Sequence, residues 1–447
     1  MYVHSKAASL LPLLFLLSPT VAHDYNGFQV LKVIPQDYDH VDVLRRLRRD
    51  YSHKLDFWSS PDHPGKGVTI SVPPDAMGFL QNVIGQASLP AQLLVNNLKT
   101  LVEADRLHNQ PRPNETEFSR EMHPINFNLS RFHRYSEIEH YLQAMERHYP
   151  QLVRLFHAGT TTEGRNITGI RIGKQRTDGD KKPGIWIDAG IHAREWAAPS
   201  TALYILSKLT SDYQHDADIQ RYVNQLDWYI VPVANPDGYE FTWTEDRFWR
   251  KTRSLQTKCD GQDPQCRTCY GVDPNRNWAF HFGEEGASKN PCSEIYQGPE
   301  AMSEPEVRGL ANTILSLRNV LRTYVSLHSY SELILYPYGY KEHAPKPEAY
   351  EDVLSLAKEV EAAIEETNGV HYKVEQSASL YPAAGASDDW AKGVAKIKYA
   401  YTIELRPSDQ NVDDMLGFVL NTEQIVPLGK EILAGMKVIA DRVLTES

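Results

Sequence analysis

The chain has 447 residues, 41% of them hydrophobic and 23% charged, which is enough apolar material for one large core and a smaller second one. A formal net charge of −11 lacks the basic balance of a nucleic-acid binder and sets that class aside. Beyond the N-terminus no segment sustains an apolar run long enough to cross a bilayer.

In chain order, residues 1–22 read as a signal peptide. Lys6 gives the basic start, 7–17 are apolar, and Thr20 and Ala22 are the small residues that cleavage requires. The apolar run is far shorter than the roughly 20 residues of a membrane anchor, so a secreted, extracellular protein without membrane insertion is expected. Three Asn-x-Ser/Thr triplets, at Asn114, Asn128 and Asn166, suit that route and predict a glycoprotein.

From Phe28 the pattern predicts a strand (FQVLKVI), a basic helix, strands KLDFW and GVTISV, a helix through Phe79, Leu80 and Val83, and an apolar stretch over 91–102. This is an α+β unit of about 80 residues, assigned to 23–105. In its first helix Val41, Leu44 and Leu47 form the apolar stripe, and Arg45, Arg46, Arg48 and Arg49 read as a solvated face. The polar, proline-containing segment 106–120 reads as a linker.

Over 121–447 the strands GIWIDAGI, DWYIVPVA, LRTYVSLH and IKYAYTIEL alternate with amphipathic helices at 199–213, 350–366 and 424–443. Alternation of this kind predicts an α/β domain with a mixed, mainly parallel central sheet flanked by helices. Four cysteines, Cys259, Cys266, Cys269 and Cys292, lie in one stretch and favour two local disulfides in an oxidising compartment. Cys266 and Cys269 form a CxxC, but a four-thiolate zinc site would want a second one, and the chain has none.

His192 and Glu195 are three apart just after a strand, and His328 follows another. Two close ligands and a distant one, with a fourth position left to water, is the arrangement of a catalytic zinc site. A lone HxxE pair is weak, since 17 histidines and 58 acidic residues produce it by chance and a surface ion pair explains it equally well. The company it keeps decides: HAREW, NPDGY, WRKTRS, VDPNRNW, LHSYS, LYPYGY, SLYPAAGASDDW and IELR follow in order.

Those motifs closely resemble the pancreatic-type zinc metallocarboxypeptidases, nearest to the carboxypeptidase B group, from the end of the signal peptide onward. The resemblance implies one Zn2+ held by His192, Glu195 and His328, a ligand set for which carboxypeptidase A is itself the standard example. It makes Asp273 the carboxylate that orients the first ligand His and Glu404 the catalytic proton carrier. Arg250 is implied to face the developing oxyanion. Asn275 and Arg276 would grip the substrate's free carboxylate, and Tyr381 would close over it. Arg247 and Arg253 are expected at the surface or in secondary subsites.

Asp388 falls where members selective for Lys or Arg carry Asp, and a carboxylate there would offset the desolvation of a basic side chain. Gly339 keeps the pocket wall open, whereas Gln376 replaces a small residue. By the same resemblance 23–105 is an inhibitory, ferredoxin-like open-sandwich propeptide, cut by a trypsin-like protease at Arg120-Glu121. Cys269 would bridge Cys292, leaving Cys259 for Cys266. The substrates implied are peptides or proteins with a free C-terminus, and a monomer is expected. Departures are Pro407 after the catalytic Glu-Leu-Arg, a loop before Gly417-Phe418 longer by about five residues, and the insertion carrying Cys259 and Cys266. Rival readings are an A-type preference for apolar ends, a catalytically inactive binding homologue, a regulatory-type carboxypeptidase and a deacylase on the same scaffold.

Overall fold

The computed structural model describes residues 23–52, 54–110, 118–175, 181–257, 268–408 and 416–447. The expected signal peptide, Asn114, and the Cys259 and Cys266 pair lie outside them. None of the helices among these residues is long and apolar enough to cross a membrane.

The N-terminal unit contains β1 (Gln29–Val33), α1 (Tyr38–Tyr51), β2 (Asp56–Phe57), β3 (Val68–Val72), α2 (Pro74–Gln86), β4 (Ala91–Val95) and α3 (Leu98–His108). Asp37 caps α1 by accepting from the His40 N–H at 2.8 Å. The strands form an antiparallel sheet in the order β2-β3-β1-β4. Alternation splits its side chains: Leu31, Val33, Val68 and Ile70 pack with Leu44, Leu47 and Leu80 of the helices. On the opposite face Val30 joins Trp58, Leu98 and Val102 in a cluster with Phe248, Tyr330, Phe418 and Val419 of the second unit. The apolar stretch over 91–102 is not one element. Asn97 breaks it, ending β4 and capping α3 through the Lys99 N–H. Helix α3 then runs on to His108, three residues past the expected domain boundary.

The second unit continues with α4 (Tyr135–His148), β5 (Val153–Thr160), β6 (Asn166–Ile172), β7 (Gly184–Ala189), α5 (Ala197–Ser211), α6 (Ala217–Gln225), β8 (Asp227–Val231) and α7 (Pro236–Thr244). After a short hairpin, β9 (Leu255–Thr257) and β10 (Cys269–Tyr270), come α8 (Pro305–Leu317), β11 (Leu321–Ser329), β12 (Leu333–Tyr336), α9 (Tyr350–Asn368) and β13 (Lys373–Gln376). The chain ends with α10 (Ser377–Leu380), α11 (Ser387–Gly393), β14 (Tyr399–Leu405) and α12 (Ile425–Thr445).

Eight strands form one mixed sheet, ordered β13-β12-β14-β11-β7-β8-β6-β5. Its centre, β14-β11-β7-β8, is parallel, and antiparallel partners flank it. Both faces are covered, which explains why every residue of β7, Asp188 included, is buried. Ile185 and Ile187 pack with α5, α9 and α12, while Trp186 packs with α8 and α11. A disulfide joins Cys269 and Cys292.

Candidate active site

Strand β7 ends at Ala189, and Gly190 then turns the chain with φ +64°, where an added Cβ would meet Pro199 at 3.0 Å. This turn delivers His192 and Glu195 to the C-terminal edge of the sheet. His328, next to last in β11, stands beside Glu404 of β14 in the parallel register.

His192 Nδ1 lies 2.9 Å from Glu195 Oε1, His328 Nδ1 lies 3.2 Å from Glu195 Oε2, and the two Nδ1 atoms are 3.1 Å apart. The outer ring nitrogens explain why Nδ1 faces inward. His192 Nε2 sits 3.1 Å from Asp273 Oδ1, an acceptor only, so Nε2 carries the hydrogen. Ser326 gives its single proton to Asp188 Oδ1 at 2.7 Å, and therefore accepts from His328 Nε2 at 3.2 Å. Asp188 also accepts from Trp186 Nε1 at 2.8 Å.

Burial, aided by Arg250, lowers the His192 pKa and favours the neutral ring that metal coordination needs. Burial acts likewise on His328, but the Glu195 carboxylate outweighs it and pushes the ring up to about 9. A divalent ion bound by His192, Glu195 and His328 would take the place of that proton. Two imidazole nitrogens and a carboxylate oxygen, all buried and all within 4.8 Å of one another, fit zinc.

Asp273 is the hub beside this centre. Burial opposes its charge, but Arg250, Arg276 and His192 hold its carboxyl well below the usual range. Arg250 donates to Asp273 Oδ2 from Nε at 3.2 Å and Nη2 at 2.9 Å, while Nη1 approaches Glu195 at 3.8 Å. Arg276 gives Nε to the Gly286 carbonyl and Nη1 to the Asn275 carbonyl. Asn275 Oδ1 accepts from the Ser387 N–H at 2.8 Å, which leaves its amide hydrogens as the group able to meet an anion.

Glu404, Arg250, Arg276 and Tyr381 line a cavity of about 530 Å3 together with the metal-centre residues His192 and Glu195. The Arg406 guanidinium, two residues past Glu404, is taken by Glu431 at 3.0 Å and Gln424 at 2.7 Å. Asp388, Gly339 and Gln376 are not on the cavity lining. They lie together around Ser377: its Oγ donates to Asp388 Oδ2 at 3.0 Å, and the Gly339 N–H donates to Asp389 at 2.9 Å. The Gln376 amide holds the loop carbonyls of Tyr338, Ala344 and Pro345.

Two expectations need correction. Arg247 is not at the surface: it is fully buried, stacks 3.7 Å over Trp196 and pairs with Asp105 of the N-terminal unit at 2.7 Å. Nor is the arginine face of α1 wholly solvated, since Arg45, Arg48 and Arg49 all reach the cavity lining, the first and last with exposed side chains.

A model of the family described as zinc carboxypeptidase matches residues 138–435. The chain belongs to the zinc carboxypeptidase family. This zinc carboxypeptidase is a metallocarboxypeptidase hydrolase, and residues 31–105 match the carboxypeptidase activation peptide, which makes the chain a zymogen. It is 43% identical over 313 residues to carboxypeptidase B of Astacus astacus, covering 70% of this chain and 97% of that one. It is 37% identical over 423 residues to carboxypeptidase A2 of Rattus norvegicus, covering 94% of each. Among solved structures it is similar to thrombin activatable fibrinolysis inhibitor, with a TM-score of 0.81, 30% identity and coverage of 94% and 99%. Carboxypeptidase A from Helicoverpa armigera gives a TM-score of 0.83 at 28% identity, covering 95% and 99%.

Sequence reasoning missed Asp188 and Ser326, although Ser326 stands two residues before His328 on one strand and so shares its face. It also missed Arg194, within HAREW, which pairs with Asp56 of the activation peptide at 3.1 Å. No local signal marks Asp56 as its partner, 138 residues away in the chain.

Proposed function

We propose that this zymogen is secreted, is activated by a trypsin-like cut at Arg120-Glu121, and then releases C-terminal Lys or Arg from peptides. The observation that carries the basic preference is Asp388. Burial raises its carboxyl above the usual range, and among the described residues no lysine or arginine stands within ion-pair distance of it. A substrate guanidinium or ammonium would supply that missing cation, whereas an apolar side chain would leave the carboxylate uncompensated. Both residues of the proposed cleavage site are exposed, as a protease requires.

His192, Glu195 and His328 would hold a zinc ion, which would supply Lewis acidity for activating water and polarising a carbonyl. Glu404 takes the proton of the attacking water and returns it to the leaving amine. Arg250, held by Asp273, presents a fixed cation to the oxyanion. The free edge of Arg276 and the Asn275 amide receive the terminal carboxylate, and Tyr381 adds a hydrogen bond above it.

The deciding experiment digests the purified zymogen with trypsin and compares peptides ending in Arg, Lys, Phe and Leu, with and without a chelator. Arg and Lys ends should turn over fastest, and the chelator should stop all four. The new N-terminus should read Glu-Met-His-Pro. Preference for Phe would overturn the basic specificity, and a different start would overturn the cleavage site.

A further inference from the structure

The activation peptide adds cations to the cleft that it covers: Arg45, Arg49 and Lys66 are paired with Asp42, Asp50 and Asp62 of their own domain, and Arg48 is not. Arg48 projects from α1 into the cavity that also receives Arg250 and Arg276. Its guanidinium stands 5.9 Å from the Tyr381 ring centroid, and that of Arg276 stands 5.8 Å from the same ring. Arg48 donates to Ser60 Oγ, a neutral group. Among the described residues no carboxylate lies within ion-pair distance of it, and Asp62, which acts on it from its own domain, is engaged by Lys66 at 3.8 Å. Arg276 spends two nitrogens on carbonyls and reaches Asp273 only at 4.0 Å.

Five glutamates line the same cavity, Glu195, Glu285, Glu294, Glu342 and Glu404, yet among the described residues none of them stands within ion-pair distance of Arg48 or Arg276. The oxygens of Glu195 face His192 and His328, and Glu285 accepts from the Glu342 N–H at 2.7 Å. Arg48 and Arg276 therefore share a partly desolvated space with incomplete compensation, a situation that an anion between them relieves.

We propose that the closed zymogen holds a peptide-type carboxylate between Arg48 of the activation peptide and Arg276 of the catalytic domain, so that a free C-terminus latches the activation peptide in place. This rests on Arg276 as the receptor for a terminal carboxylate, proposed above; Arg48 is what the zymogen adds to it. A ligand that touches both domains binds the closed form more tightly, and by reciprocity it tightens the hold of the activation peptide. Substrates and released amino acids carry the same group, so both slow departure of the peptide after cleavage.

Calorimetric titration of N-acetyl-arginine and N-acetyl-phenylalanine into the zymogen, an Arg48→Gln zymogen and the activated enzyme freed of its peptide tests the latch. N-acetyl-argininamide serves as the probe without a carboxylate. The wild-type zymogen should bind at least one acid about tenfold more tightly than the other two proteins, with no such gain for the amide. Arg48→Lys, which keeps the charge, should retain most of the gain. Because Arg48 leaves with the peptide, activated enzyme from the Arg48→Gln zymogen should match wild type and so reports correct folding. Equal affinities of the wild-type and Arg48→Gln zymogens overturn the latch. Arg276→Gln in the activated enzyme separates the two readings. If it abolishes acid binding while Arg48→Gln changes nothing, only the latch fails; if it changes nothing, the role of Arg276 fails and the latch with it.

Discussion

His192 and His328 turn Nδ1 inward because each commits its Nε2 hydrogen elsewhere, one to Asp273 and the other through Ser326 to Asp188. Ser326→Ala leaves the His328 ring free to rotate and Asp188 with one donor fewer. It should weaken zinc retention by about 10–100-fold, read by competition with a chelator, with an unchanged near-ultraviolet spectrum as the control for folding. A second residue reports on pH. Glu306 accepts from the Thr162 N–H at 3.0 Å, and burial pushes its carboxyl from an ordinary 4.5 up to about 7. Between those values the folded state binds more protons than the unfolded one. Stability is therefore full below the lower value and falls as pH rises through the upper one. Glu306→Gln should remove a decline on the order of a few kcal/mol across that window; thermal unfolding curves that stay parallel to wild type would refute it. The ligands themselves were legible in the sequence as strand-end candidates, chosen from chance pairs by the resemblance of the motifs around them. The groups behind them were less so, since Asp188 meets Ser326 across a pair of strands 138 residues apart in the chain.

At the scale of elements, two helical glycines make opposite predictions. Gly78 lies inside α2 with nothing within 4 Å of an added Cβ, so Gly78→Ala should stabilise the activation peptide by about 0.5–1 kcal/mol through helix propensity. Gly309 lies inside α8, where the added carbon would fall 2.4 Å from the Ala158 carbonyl oxygen and 2.9 Å from the Gly159 Cα of β5. Backbone cannot step aside as a side chain can. Gly309→Ala should thus cost about 1–3 kcal/mol despite the same gain in propensity, measured by denaturant unfolding of the activated enzyme. The central strands and long helices were readable from their apolar patterns. The four-residue strands β12 and β13 were not, because short segments carry too few periods to declare themselves.

Across the whole molecule, activation depends on how firmly two separately patterned units hold together. Trp58 stacks on Phe248 at 4.7 Å between centroids, Asp56 reaches Arg194, and Asp105 meets the buried Arg247. Asp105→Asn removes the counter-charge of a fully buried guanidinium. A loss of that kind costs about 3–5 kcal/mol, so after the trypsin cut the variant should shed its activation peptide roughly 100-fold faster or more. Recovery of activity against time would show it. The sequence by itself offered the strand-end candidates for the metal, which the resemblance of the ordered motifs singled out from chance pairs, and the division into an N-terminal α+β unit and a larger α/β domain, which is written in local spacing and periodicity. Only the tertiary structure decided that Arg48 enters the cleft and that Arg247 is buried against Asp105. Which face of one unit meets the other depends on shape and charge brought together from distant parts of the chain, and no local pattern encodes that meeting.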